Sequence, residues 1–307
     1  MNPRELSIRA NDLVQSVLEW APAAPEGEVA SAPPTVVLLH GFMDAAGTWG
    51  EVAPSLVAAG FRVLAPHQRG FGRAPRVPEG GYYYFPDYVF DLADVVDACV
   101  PRASASEAPP RVSVVGHSMG GTVATLYAGS FPERIERLAL LEGTGPFDNP
   151  FETAPIRMRR WIEDVRRART ASARPVGTHE DVLARLVQNH SGVKPEVLAR
   201  RVPELARVGE DGVLSWLADP LHRTLSPMPF YVEAYKAFAR RVACPVLSVD
   251  GGPSGFQPPD ESDRLACFAS VRRETLAGAG HMLHWTEPGA VSALLVDFLG
   301  PARDVRV

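Results

Sequence analysis

The residues best suited to chemistry centre on Ser118, in the run Val115-Gly116-His117-Ser118-Met119-Gly120-Gly121. A serine hydroxyl becomes a useful nucleophile only when a base takes its proton and donors receive the developing negative charge. The apolar run Val112–Val115 before it reads as a strand, and Thr122–Ser130 after it reads as a helix. Gly-x-Ser-x-Gly at such a junction makes a turn so sharp that the serine is forced into strained φ/ψ. Glycines on either side avoid clashes with it. The helix that starts there aims its N-terminal amides and positive dipole end at the reaction.

Two further stretches supply what Ser118 lacks. His40-Gly41-Phe42 ends another apolar run, and the loop after such a strand donates one backbone N–H to the oxyanion. The residue after the nucleophile donates the other, so the expected donors are the amides of Phe42 and Met119. His40 itself is expected to brace that loop by hydrogen bonds. Far downstream, Ala279-Gly280-His281 precedes a C-terminal helix, Gly289–Leu299. A histidine on that late loop is the expected base, in the chain order serine, acid, histidine. His284 is expected to pack or hydrogen-bond at the helix start. His67, His179, His190 and His222 lack ligand-spaced partners and read as surface or structural. No metal site is expected, and the chemistry calls for no cofactor.

These residues need a scaffold that brings distant strand ends together. Thr35–Leu39, Arg62–Ala65, Val112–Val115, Leu138–Leu141 and Pro245–Val249 are apolar runs suited to strands buried on both faces of a parallel sheet. Helical segments alternate with them, such as Tyr88–Val100 with Val89, Leu92, Val96 and Cys99 at helical spacing. The alternation implies right-handed βαβ units and an α/β, mostly parallel, doubly wound sheet. Leu6–Ile8 and Val14–Trp20 flank Asn11-Asp12 as a hairpin, and Ala21–Pro34 reads as a surface loop.

Residues 146–240 break the rhythm, being helix-like and arginine-rich with no convincing buried strand. The expected division is a core of residues 1–145 and 241–307 with an inserted helical cap between. Arg157, Arg159, Arg160, Arg166, Arg167 and Arg169 interleave with Glu163 and Asp164. A solvated charged face accounts for them; attraction of an acidic substrate is the alternative.

A formal net charge of −5 argues against nucleic acid or an anionic membrane as the main partner, leaving a small-molecule substrate. Three distant cysteines, Cys99, Cys244 and Cys267, suit a reducing compartment and form no disulfide framework. The early residues include Arg4, Glu5, Arg9 and Asp12, with no apolar run of signal-peptide length and no membrane-spanning stretch. A cytoplasmic enzyme is the expectation.

Taken together, His40-Gly41-Phe42, Ala65-Pro66-His67-Gln68-Arg69-Gly70-Phe71-Gly72, the serine run and Gly278-Ala279-Gly280-His281 resemble the α/β-hydrolase superfamily over nearly the whole chain. Within it the chain is most similar to serine hydrolase-like proteins. That likeness extends to Arg137–Pro146, to Trp216, Asp219-Pro220 and Ser226-Pro227, and to Cys244-Pro245-Val246-Leu247. The resemblance implies an inserted cap and a triad acid in a Gly-x-x-Asp arrangement after the late strand. Here that strand runs Pro245-Val246-Leu247-Ser248-Val249-Asp250-Gly251-Gly252-Pro253-Ser254, so Ser254 stands where the aspartate is expected. A neutral serine cannot stabilise the imidazolium that His281 becomes. Glu142, ending the preceding core strand, resembles the acid of some haloalkane dehalogenases and is the favoured replacement. Asp250, still in the strand, and Asp260, on the next loop, are the alternatives.

A serine nucleophile makes acyl transfer the expected reaction, whereas related epoxide hydrolases and dehalogenases use an aspartate. The substrate is expected to be a small or medium, apolar ester held between the strand ends and the cap. Phe42, Met119 and Phe147 are expected near the reacting atoms, with Trp161, Met228, Phe230 and Tyr231 contributed by the cap or packed in its core. Tyr82-Tyr83-Tyr84-Phe85 either edges the pocket or packs beneath the cap. The same triad also serves C–C bond, amide or peroxidative chemistry, and a non-catalytic binding protein on this fold is a further reading.

Overall fold

The computed structural model describes residues 1–23, 32–102, 108–170 and 175–300. The predicted loop Ala21–Pro34 therefore lies largely outside the described residues. Among the described residues ten strands occur in chain order: β1 (Arg4–Ala10), β2 (Leu13–Trp20), β3 (Thr35–Leu39), β4 (Arg62–Pro66), β5 (Val112–His117), β6 (Ile135–Leu141), β7 (Ala206–Val208), β8 (Leu214–Trp216), β9 (Val246–Asp250) and β10 (Val271–Thr275). Eight of them form one sheet in the order β1-β2-β4-β3-β5-β6-β9-β10, and β7 and β8 pair separately. β1 and β2 are an antiparallel hairpin, β2 joins β4 antiparallel, and every later pairing in the sheet is parallel. The hairpin turn places Asn11 and Asp12 at φ 45° and 60°, the left-handed conformation that two-residue hairpin loops require and that Asn and Asp tolerate.

The apolar runs become the inner strands because both of their faces are covered. Val37, Leu39, Val114, Leu138 and Leu140 face the helices Phe85–Cys99 and Met119–Ser130. Their neighbours Val36, Leu38, Val115, Ala139 and Leu141 face Ala53–Ala58 and Pro288–Leu299. This period-two alternation is the strand geometry itself. β10, Val-Arg-Arg-Glu-Thr, is absent from the sequence-based expectation because it is an edge strand with Arg272, Arg273 and Thr275 exposed.

Residues 146–240 are mostly helical, with Ala154–Thr170, His179–Asn189, Pro195–Ala199, Val202–Leu205 and Val232–Ala239. The short β7–β8 pair is an addition to what the sequence predicts. A third apolar cluster, including Val182, Leu186, Leu198 and Val202, forms here and closes on Met282 and Trp285 of the sheet's late loop. No helix among the described residues is long and apolar enough to cross a membrane.

Parallel registry brings the site together. Leu39 lies opposite Gly116, His117 opposite Leu141, and Leu141 opposite Val249, so β3, β5, β6 and β9 end in one row. From β3 the chain goes first to β4 on one side and later to β5 on the other. The crevice at such a reversal is where sheets of this kind bind ligands.

Candidate active site

Ser118 is the single residue between β5 and the helix Met119–Ser130, at φ 51° and ψ −118°. Its amide donates to Leu141 O at 3.0 Å, carrying the ladder one step past the strand and fixing the turn beside β6. The neighbouring glycines are required by space. A Cβ on Gly116 would stand 2.4 Å from Gly120 O, and one on Gly120 would stand 2.4 Å from Leu39 O. Both obstacles are backbone and cannot rotate away. Gly116→Ala is expected to lower stability by about 1–3 kcal/mol through overpacking, read as a fall in Tm. An unchanged melting curve would show that the elbow yields more easily than this packing allows.

His281 reaches Ser118 from the loop after β10, with Nε2 3.1 Å from Ser118 Oγ. Its Nδ1 is 3.3 Å from Glu142 Oε2. The Glu142 side chain is fully buried, whereas that of His281 is one-third exposed. Glu142 leaves β6 in the left-handed region, φ 51°, with its own N–H still donating to Val249 O at 2.9 Å. Its Oε1 accepts the Gly251 N–H and its Oε2 accepts the Phe256 N–H. The loop after β9, which lacks the expected aspartate, thus lays its backbone against Glu142. A Cβ on Gly255 would collide with Oε1 at 2.1 Å.

The other candidate acids point elsewhere. Asp250 accepts from Gly252 N–H at 3.0 Å and Thr275 Oγ1–H at 2.8 Å. Asp260 forms an ion pair at 2.7 Å with Arg264, a side chain with no solvent exposure. Neither hydrogen-bonds His281. Ser254 lies by Gly280, 3.4 Å from the position a Cβ there would take.

The two amides expected to receive an oxyanion make no hydrogen bond to a described residue. Met119 N–H belongs to the first turn of its helix, which has no intrahelical acceptor. Phe42 N–H lies just before a sharp bend at Met43, φ 58°. Gly41 lets this loop touch the elbow, since a Cβ there would be 3.1 Å from Ser118 Cβ. His40 braces the loop from within: Nδ1 bonds Gly41 O at 2.8 Å, and Nε2 accepts the Gln68 N–H at 3.0 Å.

Behind His281 lies a buried polar group whose arrangement the sequence does not reveal. Asp44 takes a hydrogen bond from His284 Nε2 at 3.1 Å, both side chains being fully buried. His117 Nε2–H donates to the His281 carbonyl at 2.8 Å, tying the backbone of His281 to the residue before Ser118. Burial pushes the His117 imidazole well below its ordinary pKa, aided by His284 and His281. Burial likewise lowers His284 against the pull of Asp44. Burial would raise Asp44, but the hydrogen bond and charge of His284 outweigh it and hold the carboxyl low. Among the described residues, Asp44, His117 and His284 bring ligand-type atoms within 4.8 Å of one another, a grouping that could hold a cation. Their hydrogen bonds join the loop bearing His281 to His117 and Asp44.

Two cavities meet at Ser118. The larger, about 780 Å³, is walled by Tyr82, Tyr84, Phe85, Met228, Phe230 and Tyr231, with Met119 near the elbow. The smaller, about 690 Å³, reaches His281 and Met282 and opens past Arg185, His190, Trp216 and Arg223. Phe42 and Phe256 line both. Two expected lining residues are absent from these walls. Phe147 is half exposed and packs on Phe256 at 4.7 Å, while Trp161 sits edge-on behind Tyr82 at 5.4 Å. Aromatic neighbours claim both rings before they reach the cavity. The tyrosine cluster edges the pocket, and His222 is stacked 3.8 Å from Phe71 beneath it.

Comparison with known proteins agrees with this fold. The model for the alpha/beta hydrolase fold family matches residues 34–288. A serine hydrolase-like protein from Danio rerio is 28% identical over 279 residues, covering 87% of this chain and 81% of that one. Epoxide hydrolase A of Mycobacterium tuberculosis is 25% identical, covering 87% and 90%. Among solved structures, a hypothetical protein from Pseudomonas aeruginosa superposes with TM-score 0.80 at 25% identity, covering 97% and 99%. The thioesterase domain from the curacin biosynthetic pathway has the same fold, with TM-score 0.79 at 23% identity over 97% and 100%. With a family model spanning most of its length and serine hydrolase-like relatives across the same residues, this chain belongs to the alpha/beta hydrolase fold family and is a hydrolase.

Proposed function

We propose that the chain is a serine hydrolase that cleaves small or medium carboxylic esters through an acyl-enzyme on Ser118. The observation that carries this reading is the continuous relay from Ser118 Oγ to His281 Nε2, and from His281 Nδ1 to Glu142 Oε2. Ser118 Oγ attacks the ester carbonyl while His281 Nε2 takes its proton, and buried Glu142 stabilises the imidazolium. The carbonyl oxygen becomes an oxyanion held by the amides of Phe42 and Met119, each such donor contributing about 2.7–4 kcal/mol to the transition state. His281 then gives its proton to the departing alcohol, and water reverses the sequence on the acyl-enzyme.

The two cavities divide the substrate. The leaving group has to lie where His281 can protonate it, and His281 lines the smaller cavity alone. The acyl chain then occupies the larger, aromatic one, beside Met119. Residues 146–240 act as a cap, contributing Met228, Phe230 and Tyr231 to the acyl side. A reducing compartment such as the cytoplasm suits the free thiols Cys99, Cys244 and Cys267.

A fluorophosphonate probe is expected to label the protein, with the adduct on the peptide containing Ser118 and none formed on Ser118→Ala. A para-nitrophenyl hexanoate assay should give turnover that the same variant abolishes. A wild-type protein that resists the probe and leaves the ester intact would favour the non-catalytic reading.

A further inference from the structure

Buried and half-buried arginines of this chain have partners, with one exception among the described residues. Arg62 pairs with Glu19 at 2.6 Å, Arg134 with Asp97 at 2.9 Å and Arg264 with Asp260 at 2.7 Å. Arg69 pairs with Asp91 and Arg201 with Glu51, and Arg137 lies over the Phe298 ring at 5.6 Å. Arg157 is the exception. It is half-buried, and no carboxylate, hydrogen-bond acceptor or aromatic face among the described residues receives it. Its Nε is sealed from solvent without a partner.

Its neighbours on the helix Ala154–Thr170 behave differently. Arg159, Arg160 and Arg166 are exposed, Arg167 pairs with Asp164, and Arg169 donates to Gly81 O at 2.9 Å. Arg157 alone of them lines the larger of the two cavities that meet at Ser118. The one carboxylate in that lining is Glu142, already engaged by Gly251, Phe256 and His281. A partly desolvated cation without a counter-charge is unfavourable. A guanidinium fork is matched best by a carboxylate that accepts two parallel N–H bonds.

We propose that Arg157 recognises a carboxylate on the acyl portion of the substrate, so that the preferred substrates are monoesters of dicarboxylic acids. The ester carbonyl lies at Ser118, the methylene chain runs along Tyr82, Phe85 and Phe230, and the distal carboxylate meets Arg157. This proposal rests on the serine hydrolase reading and on the acyl chain occupying the larger cavity. It turns an apolar acyl pocket into one with a charged far end.

The test compares two esters sharing a leaving group and chain length, para-nitrophenyl hexanoate and mono-para-nitrophenyl adipate. Wild type is expected to favour the adipate ester in kcat/KM. Arg157→Met is expected to lower the adipate-to-hexanoate ratio by about ten- to a hundredfold, mainly through KM, the scale of a charge-assisted hydrogen bond. Arg157→Lys should restore part of the ratio, and Arg160→Met, on the exposed face, should leave it alone. Binding gives a readout independent of turnover. Monomethyl adipate should bind Ser118→Ala in titration calorimetry, and the added Arg157→Met should abolish it. Esterase activity with a ratio unmoved by Arg157→Met would overturn this proposal while sparing the serine hydrolase. A preference tied to a carboxylate on the alcohol side, beside Arg185 and Arg223, would overturn it equally. Failure of the probe to label Ser118 strikes the hydrolase reading instead, and the calorimetry still decides for or against Arg157.

Discussion

Glu142→Gln is expected to lower kcat by about 10⁴-fold while leaving a folded protein, the loss seen when a triad acid becomes its amide. The reason lies in what surrounds the carboxylate. Oε1 accepts Gly251 N–H, while Oε2 accepts Phe256 N–H and faces His281 Nδ1. A carboxylate satisfies all three because both of its oxygens accept. An amide has one oxygen. Turned to keep the His281 bond, it aims its NH₂ at Gly251 N–H. Turned the other way, it aims that NH₂ at Phe256 N–H and at His281 Nδ1. The second arrangement makes Nδ1 an acceptor and puts the ring proton on Nε2, facing Ser118. Such a tautomer cannot take the serine proton. Either arrangement also removes the charge that stabilises the imidazolium. Asp260→Asn is expected to cost stability, because it strips the fully buried Arg264 side chain of its counter-charge, but to keep kcat within a few-fold. Asp250→Asn is expected to behave similarly, its carboxylate serving Thr275 and Gly252. Steady-state kinetics on the three variants, with melting curves to separate folding from chemistry, decide the matter. A dead Asp260→Asn beside an active Glu142→Gln would move the acid to the loop after β9.

Much of this site is legible in the sequence because its parts are short and locally determined. The strand before Ser118, the helix after it and Gly116, packed against Gly120 O, follow from steric limits acting over a few residues, whereas Gly120 answers to Leu39 O of β3. The displaced carboxylate is legible as a conflict, since Ser254 stands where charge is needed and Glu142 ends the neighbouring strand. What puts Glu142 beside His281 is the β6–β9 register, which sequence reading infers only as adjacency. The walls of the cavities are less legible. Tyr82 precedes and Phe85 begins a helix that lies far from Ser118 in sequence, and Phe256 sits on the loop after β9. Phe147 and Trp161 show the opposite failure, two large rings near the site in sequence that spend their surface on aromatic neighbours. β10 is hidden for a third reason. An edge strand needs no continuous apolar run, so its charges make it look like loop.

The second large effect expected is on stability rather than rate, and it comes from imidazoles the chemistry does not use. Burial pushes His67 down to about 3 and His222 down to about 4, and pushes His117 well below its ordinary value. Each has a ring nitrogen sealed from solvent and without a partner: Nε2 of His67, Nε2 of His222 and Nδ1 of His117. Protonation would put a charge into sites whose burial outweighs the help that Asp219 gives His222 and Asp44 gives His67. In the unfolded chain all three titrate near 6.5. Between that value and the folded one the unfolded state binds more protons, so stability is fully present above about pH 6.5 and falls as the pH drops. At pH 5 the loss is about 2 kcal/mol for each of His67 and His222, with His117 adding in the same sense. Asp91 and Glu261, whose carboxyls burial raises, act in the opposite direction at lower pH. A total of this size is a large fraction of the roughly 5–15 kcal/mol that holds a domain together. Urea unfolding at pH 7.5 and pH 5.0 should therefore show a strongly acid-sensitive midpoint. His222→Phe offers the sharper test. Stacked between Phe71 and Tyr83, with ring centroids at 3.8 and 3.9 Å, the position accepts an aromatic ring that cannot titrate. That variant should lose about 2 kcal/mol of the pH dependence. If its acid sensitivity matches wild type, His222 is not held neutral by burial, and the protons taken up on unfolding belong to other groups.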